Sequence, residues 1–131
     1  TITSNRRYAD ETKIGASVGL SENDLRMQPY GLSMGNLRRL ELARTLATKP
    51  KLLLLDEVFA GLTVGEISEL SELLKRKKAE GLTFIIVSHD LKTLAALVDR
   101  VVVVNFGQLI ADGSFEDVIT NRKVKEAYLG K

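Results

Sequence analysis

Residues 51–57 read KLLLLDE: four leucines in a row, opened by a lysine and closed by two acids. An apolar run this short, bounded by charge, suits a strand buried on both faces, although leucine alone does not select strand over helix. The flanking sequence settles the choice. Residues 83–90, TFIIVSHD, repeat the plan with stronger β-formers, and VVVV at 101–104 is a third run of the kind. Between the first two lies a helical pattern over about residues 64–79, closed by Gly81 as a C-cap. Between the second and third, LKTLAALVDR is short and helical. Strand, helix, strand, helix, strand predicts parallel pairing through right-handed crossovers, and so an α/β layered fold.

Further out, NFG turns the chain from VVVV into QLIADG, an antiparallel hairpin. From Ser114 onward one or two short helices follow, with Ser114 and Asp117 spaced as a capping box. Upstream, residues 8–18 are helical and end near Gly19, and residues 20–33 are loop-like with a short turn at SENDLR. Residues 34–48 form a helix with Leu40, Leu42, Ala43, Leu46 and Ala47 on one face, stopped by Lys49-Pro50. Arg39 falls inside that arc, in the first turn, where a long side chain reaches past the core.

Composition narrows the function classes. The 131 residues are 44% hydrophobic and 27% charged, a balance suited to one compact domain. The longest apolar runs are four to five residues, far below the ~20 that a membrane-spanning helix requires. The opening TITSNRRYADE is polar and is not a secretory signal. Cysteine is absent, which excludes disulfides and thiolate metal sites. A net charge of +2 from 19 basic and 17 acidic side chains gives no reason to expect nucleic acid. The run KRKK, residues 75–78, reads as a solvated helix end favoured by the macrodipole.

In open parallel sheets, ligands sit beyond the carboxyl ends of the strands. That points at Asp56, Glu57, Ser88 and His89. An acid there, Asp56, can hold Mg2+, often through water, and a second acid, Glu57, can orient or deprotonate an attacking water. His89, the only histidine, could donate to a transferring phosphoryl group. The bland alternatives are hydrated loop acids and a histidine next to a helix cap, with Ser88 or Asp90 capping the helix at Leu91. Residues 30–43, YGLSMGNLRRLELA, raise a related question. Ser33 is either a plain N-cap or, with Gly35 allowing close approach, part of an anion site at the helix mouth.

Taken in order, the serine–glycine helix mouth, the strand ending in DE and the strand ending in SH resemble the ATP-binding cassette (ABC) ATPase family. LSMGN (32–36) is similar to the family's signature LSGGQ, and LRRLELARTLATKPKLLLLDE runs on into its Walker B strand. FAGLT (59–63) stands at the D-loop and VSHD (87–90) at the switch histidine. DEVFAGLT and the ending VVVVNFGQLIADG…VKEAYLG are similar to ATPases of branched-chain amino acid importers, with lipopolysaccharide-export ATPases as neighbours. Met34 replaces the first signature glycine, Asn36 the glutamine, and Thr63 the usual D-loop aspartate.

The resemblance implies a partial P-loop NTPase fold, a mainly parallel sheet flanked by helices. Residues 1–48 would be the end of a helical subdomain, 49–113 part of the catalytic core, and 114–131 a helical tail. It implies ATP and Mg2+, with Asp56 holding the ion largely through water, Glu57 polarising the attacking water and His89 stabilising the γ-phosphate. Ser33, Gly35 and Asn36 would contact the phosphate bound by a second nucleotide-binding domain in a homo- or heterodimer. Integral membrane permease subunits would be partners and nucleic acid would not, with the chain peripheral on the cytoplasmic face of the membrane. The ten glycines offer no G-x-x-x-x-G-K-[ST] loop, so the expectation is a C-terminal portion without the first strand and P-loop, inactive alone. With a core strand missing, self-association through exposed sheet is expected. Two other readings are a non-catalytic half-domain that docks on an intact partner, and a soluble ABC ATPase of DNA repair or translation.

Overall fold

The computed structural model describes the backbone of residues 2–129 and the side chains of residues 10–128. It forms two compact units, Thr1–His89 and Asp90–Lys131. The first unit contains α1 (Ile2–Ser17), α2 (Glu22–Arg26), a 3-10 turn (Pro29–Gly31), α3 (Met34–Leu46), β1 (Leu52–Asp56), α4 (Val64–Ala79) and β2 (Thr83–Val87). The second contains α5 (Leu91–Ala95), β3 (Val101–Asn105), β4 (Gln108–Gly113), α6 (Phe115–Thr120), α7 (Arg122–Val124) and a closing π-helical turn, Lys125–Leu129.

In the first unit β1 and β2 pair in parallel, in register from Leu52↔Thr83 to Asp56↔Val87, as the strand–helix–strand pattern requires. The crossover helix α4 spans the predicted residues because both ends are marked. Thr63 accepts from the Glu66 N–H while the Glu66 side chain binds back, a complete capping box. At the other end Gly81 adopts φ +97°. There its N–H and that of Leu82 close onto Lys78 and Lys77 carbonyls at 2.9 and 3.1 Å. Within the last turns Lys75 pairs with Glu72 and Lys77 with Glu80, so KRKK closes the helix as expected, but only Arg76 of the four is exposed and Lys77 is largely covered.

The core of this unit gathers Val18, Leu20, Leu42, Ala43, Leu53, Phe59, Leu70, Leu73 and Leu74, all buried. Burying each large aliphatic side chain contributes roughly 1.5–3 kcal/mol. Arg39 reaches out of α3 from its second turn, one turn later than expected. It donates to the Val18 carbonyl at 2.9 Å and to the Glu69 carboxylate at 2.6 Å, tying the end of α1 to α4. The helix stops two residues short of the expected Thr48, with Lys49 at φ +52° before Pro50. On its predicted apolar face Leu42 and Ala43 are buried, Leu40 and Leu46 half-buried and Ala47 exposed.

One expectation is corrected here. β1 is not buried on both faces: Leu53 is 3% exposed, but Leu52 is 48% and Leu54 70% exposed. β2 shows the same alternation, with Ile85 and Val87 more than half exposed. One face of the strand pair carries the packed layer and the other faces solvent.

A second correction concerns VVVV. β3 does not continue the parallel sheet; it pairs antiparallel with β4 in a separate two-stranded sheet. The predicted hairpin is present. Phe106 and Gly107 form its two-residue loop at φ +46° and +76°, a primed turn that matches strand twist. Ile110 bulges out between the pairs Val103↔Ala111 and Val104↔Leu109. Val101, Val103, Ala111, Val118 and Val124 form the core of this unit. The Ser114–Asp117 capping box starts α6 as the spacing predicts. Near the chain end, Tyr128 donates its hydroxyl to the Val104 carbonyl at 2.6 Å.

Candidate functional site

Parallel pairing puts the carboxyl ends of β1 and β2 side by side, with Asp56 opposite Val87. The ladder then runs one step further, the Glu57 N–H donating to the Val87 carbonyl at 2.9 Å. Glu57 takes φ +47° to do so, a left-handed conformation uncommon for a residue with a Cβ. Strain of this kind gathers at functional positions. From that anchor Glu57 Oε1 lies 3.0 Å from His89 Nδ1, thirty-two residues away in sequence. The two polar strand ends thus meet as a hydrogen-bonded pair, and Asp56, the residue before Glu57, is exposed. Asp90, not Ser88, caps the following helix, accepting from the Lys92 and Thr93 N–H groups.

Asp56 suits Mg2+ that keeps much of its water and shares phosphate oxygens, because that ion needs few protein carboxylates. Among the described residues no group of three or more His, Cys, Asp or Glu side chains is placed as a metal cage.

The α3 mouth is the second feature. Ser33 is its N-cap, its hydroxyl accepting from the Asn36 N–H at 3.1 Å. The Asn36 amide donates to Asp24 Oδ1 at 3.1 Å, and the Gly35 N–H donates to Glu66 Oε1 at 3.1 Å. Both carboxylates are the closing residues of capping boxes on neighbouring helices. Asp24 Oδ2 accepts from the Ser21 N–H and hydroxyl at 2.8 and 2.6 Å. Glu66 Oε2 accepts from the Thr63 N–H and hydroxyl at 2.9 and 3.0 Å. Hydrogen bonds from the Thr63 backbone and hydroxyl, then the Gly35 N–H and the Ser33 hydroxyl, hold the Glu66 carboxyl below its usual range. Asp24 is likewise lowered, first by the Ser21 hydroxyl and N–H.

So the sequence-predicted residues fall into two groups. Asp56, Glu57 and His89 cluster at the strand ends; Ser33, Gly35 and Asn36 line the α3 mouth. Glu66 and Asp24 escaped the sequence reading, though the spacings Thr63-x-x-Glu66 and Ser21-x-x-Asp24 carry the capping signal. Thr63, standing at the D-loop aspartate, uses its hydroxyl as the α4 cap.

With this geometry in place, the comparisons give the class. The sequence pattern described as ABC transporter matches residues 2–60, and that of the branched-chain amino acid ATP-binding cassette transporter matches residues 108–131. The chain belongs to the ATP-binding cassette family. It is 40% identical over 115 residues to the high-affinity branched-chain amino acid transport ATP-binding protein LivG of Salmonella typhimurium, covering 87% of this chain and 45% of that protein. Against the lipopolysaccharide export system ATP-binding protein LptB of Haemophilus influenzae it is 37% identical over 100 residues, covering 76% and 42%. Among solved structures, the ADP conformation of an ATP-binding cassette of an ABC transporter superposes with a TM-score of 0.82 at 32% identity, over 94% of this chain and 50% of that one. The chain spans about half the length of the relatives it matches.

Proposed function

We propose that the chain furnishes the hydrolytic acids and the phosphate-closing helix mouth of an ABC importer ATPase, with branched-chain amino acids as the transported class. The observation that carries this reading is the Glu57–His89 pair, 3.0 Å apart beside Asp56. A base for water and a histidine for the γ-phosphate need to stand together, and β1–β2 pairing supports the reading by setting their two strand ends side by side. Asp56 would hold Mg2+ largely through water, and the ion would supply charge neutralisation at the phosphates. Glu57 orients and polarises the attacking water; His89, hydrogen-bonded to it, faces the developing charge. Ser33 and Gly35 close over a phosphate gripped elsewhere, since these 131 residues contain no G-x-x-x-x-G-K-[ST] loop.

That grip belongs to a second nucleotide-binding domain, and the assembled pair drives membrane permease subunits from the cytoplasmic face. No described helix is long and apolar enough to cross a membrane, which suits a peripheral subunit. The chain alone is expected to turn over no Mg-ATP. In a protein that joins this chain to such a loop, Glu57→Gln retains Mg-ATP binding and dimer formation while turnover falls at least ~100-fold. Turnover at the unsubstituted rate would remove Glu57 from its role.

A further inference from the structure

One of the groups assigned to an incoming γ-phosphate, the Gly35 N–H beside the Ser33 cap, already binds an anion. That anion is the carboxylate of Glu66. Its Oε1 accepts from the Gly35 N–H at 3.1 Å. A Cβ at Gly35 would lie 2.7 Å from the same oxygen, so the space that admits a close-approaching ligand is the space the carboxylate fills. The other oxygen stays on Thr63 at the start of α4. Glu66 is half-buried, and the hydrogen bonds to Gly35 and Thr63 hold its end against the mouth.

We infer that Glu66 is an internal stand-in for phosphate, a carboxylate latch that an arriving phosphoryl group displaces from the α3 mouth. The inference rests on the proposed phosphate role of Ser33 and Gly35 and adds a residue that opposes it. Like charges exclude one another from a single set of donors, so occupancy by phosphate requires the Glu66 end to swing away. Leaving the mouth also draws Oε2 off the Thr63 N–H and hydroxyl, which links emptying of the mouth to the segment ending at Thr63. Asp24 flanks the mouth through Asn36 but takes no bond from Ser33 or Gly35 and is not part of the latch.

The test uses the 131-residue chain, 15N-labelled, with inorganic phosphate as the probe. Glu66→Gln keeps the capping geometry and removes the charge; Glu66→Ala removes the acceptor. Without phosphate, the Gly35 amide proton resonance moves upfield in Glu66→Ala relative to the parent chain. An unmoved resonance overturns the latch. With phosphate, the Gly35 and Asn36 amides shift on titration, and Glu66→Gln binds roughly fivefold tighter or better, the effect of removing one charge at contact distance. Equal affinity in parent and Glu66→Gln, with the shifts still at Gly35, overturns the latch and leaves the phosphate mouth standing. No perturbation at Gly35 in any variant, while the phosphate-free shift is seen, overturns the phosphate role of the mouth. Should Glu66→Gln unfold, Glu66→Asp retains the charge with a shorter reach. It is expected to bind phosphate tighter than the parent, and an unchanged affinity counts against the latch.

Discussion

Replacing Gly35 with alanine separates the stability of the α3 mouth from its accessibility. A Cβ there meets Glu66 Oε1 at 2.7 Å and Glu66 Cγ at 2.9 Å, both closer than carbon contacts allow. The obstacle is the far end of a flexible, half-buried side chain, so Glu66 yields and the backbone stays. The Gly35 N–H, at a buried position, then loses its acceptor, at a cost of about 1 kcal/mol. Against that loss, alanine is favoured over glycine within a helix by ~0.5–1 kcal/mol. Ser33 still caps α3, and Thr63 still caps α4. The net change in unfolding free energy is therefore expected within about 1 kcal/mol of zero, of either sign. Urea denaturation followed by far-UV circular dichroism at neutral pH reads it from the midpoint at constant slope. In the same protein, phosphate no longer shifts the Asn36 amide, because the methyl fills the approach. A destabilisation beyond ~2 kcal/mol would show that backbone, not Glu66, had moved, and would refute the reasoning.

The remaining expectations concern the core and the charged groups. Leu73→Ala empties a fully buried position on α4 and costs ~2–5 kcal/mol by urea denaturation; a loss under ~1 kcal/mol would deny α4 its place in the core. Acid titration of stability is the other. Asp24, Glu66, Glu72 and Asp112 all have carboxyls held below their ordinary values by hydrogen bonds, Asp112 chiefly from Arg100. Their contribution is complete above the ordinary values of 3.8 for Asp and 4.5 for Glu, and is lost as pH falls through the lower folded values. Asp112→Asn should blunt that loss, and a protein that gains stability on acidification would contradict the assignment.

What could be read from residues alone follows from where the information lies. The bounds of α4 were legible because Thr63 and Gly81 mark its ends locally. The hairpin was legible because Gly107 supplies one of the two positive φ values that a primed turn demands, while Phe106 at the other carries no turn signal. The meeting of Glu57 and His89 was legible at one remove: each ends an apolar strand, and parallel pairing in register does the rest. The exposure of Leu52 and Leu54 was not, since four identical leucines carry no period-two contrast and the covering layer is a tertiary fact. Nor was the absence of β3 from the parallel pair, as a run of valines fits parallel and antiparallel neighbours equally. The Glu66 contact with Gly35 spans thirty-one residues, and no local pattern encodes a carboxylate's second oxygen.

That second oxygen makes position 66 pleiotropic. With Oε2 serving the start of its own helix and Oε1 a neighbour's mouth, a change that removes both acceptors, such as Glu66→Ala, alters folding and phosphate access together. A mutational scan scored on abundance alone would file Glu66 among the structural residues. Only a screen that pairs abundance with activity would register its second occupation.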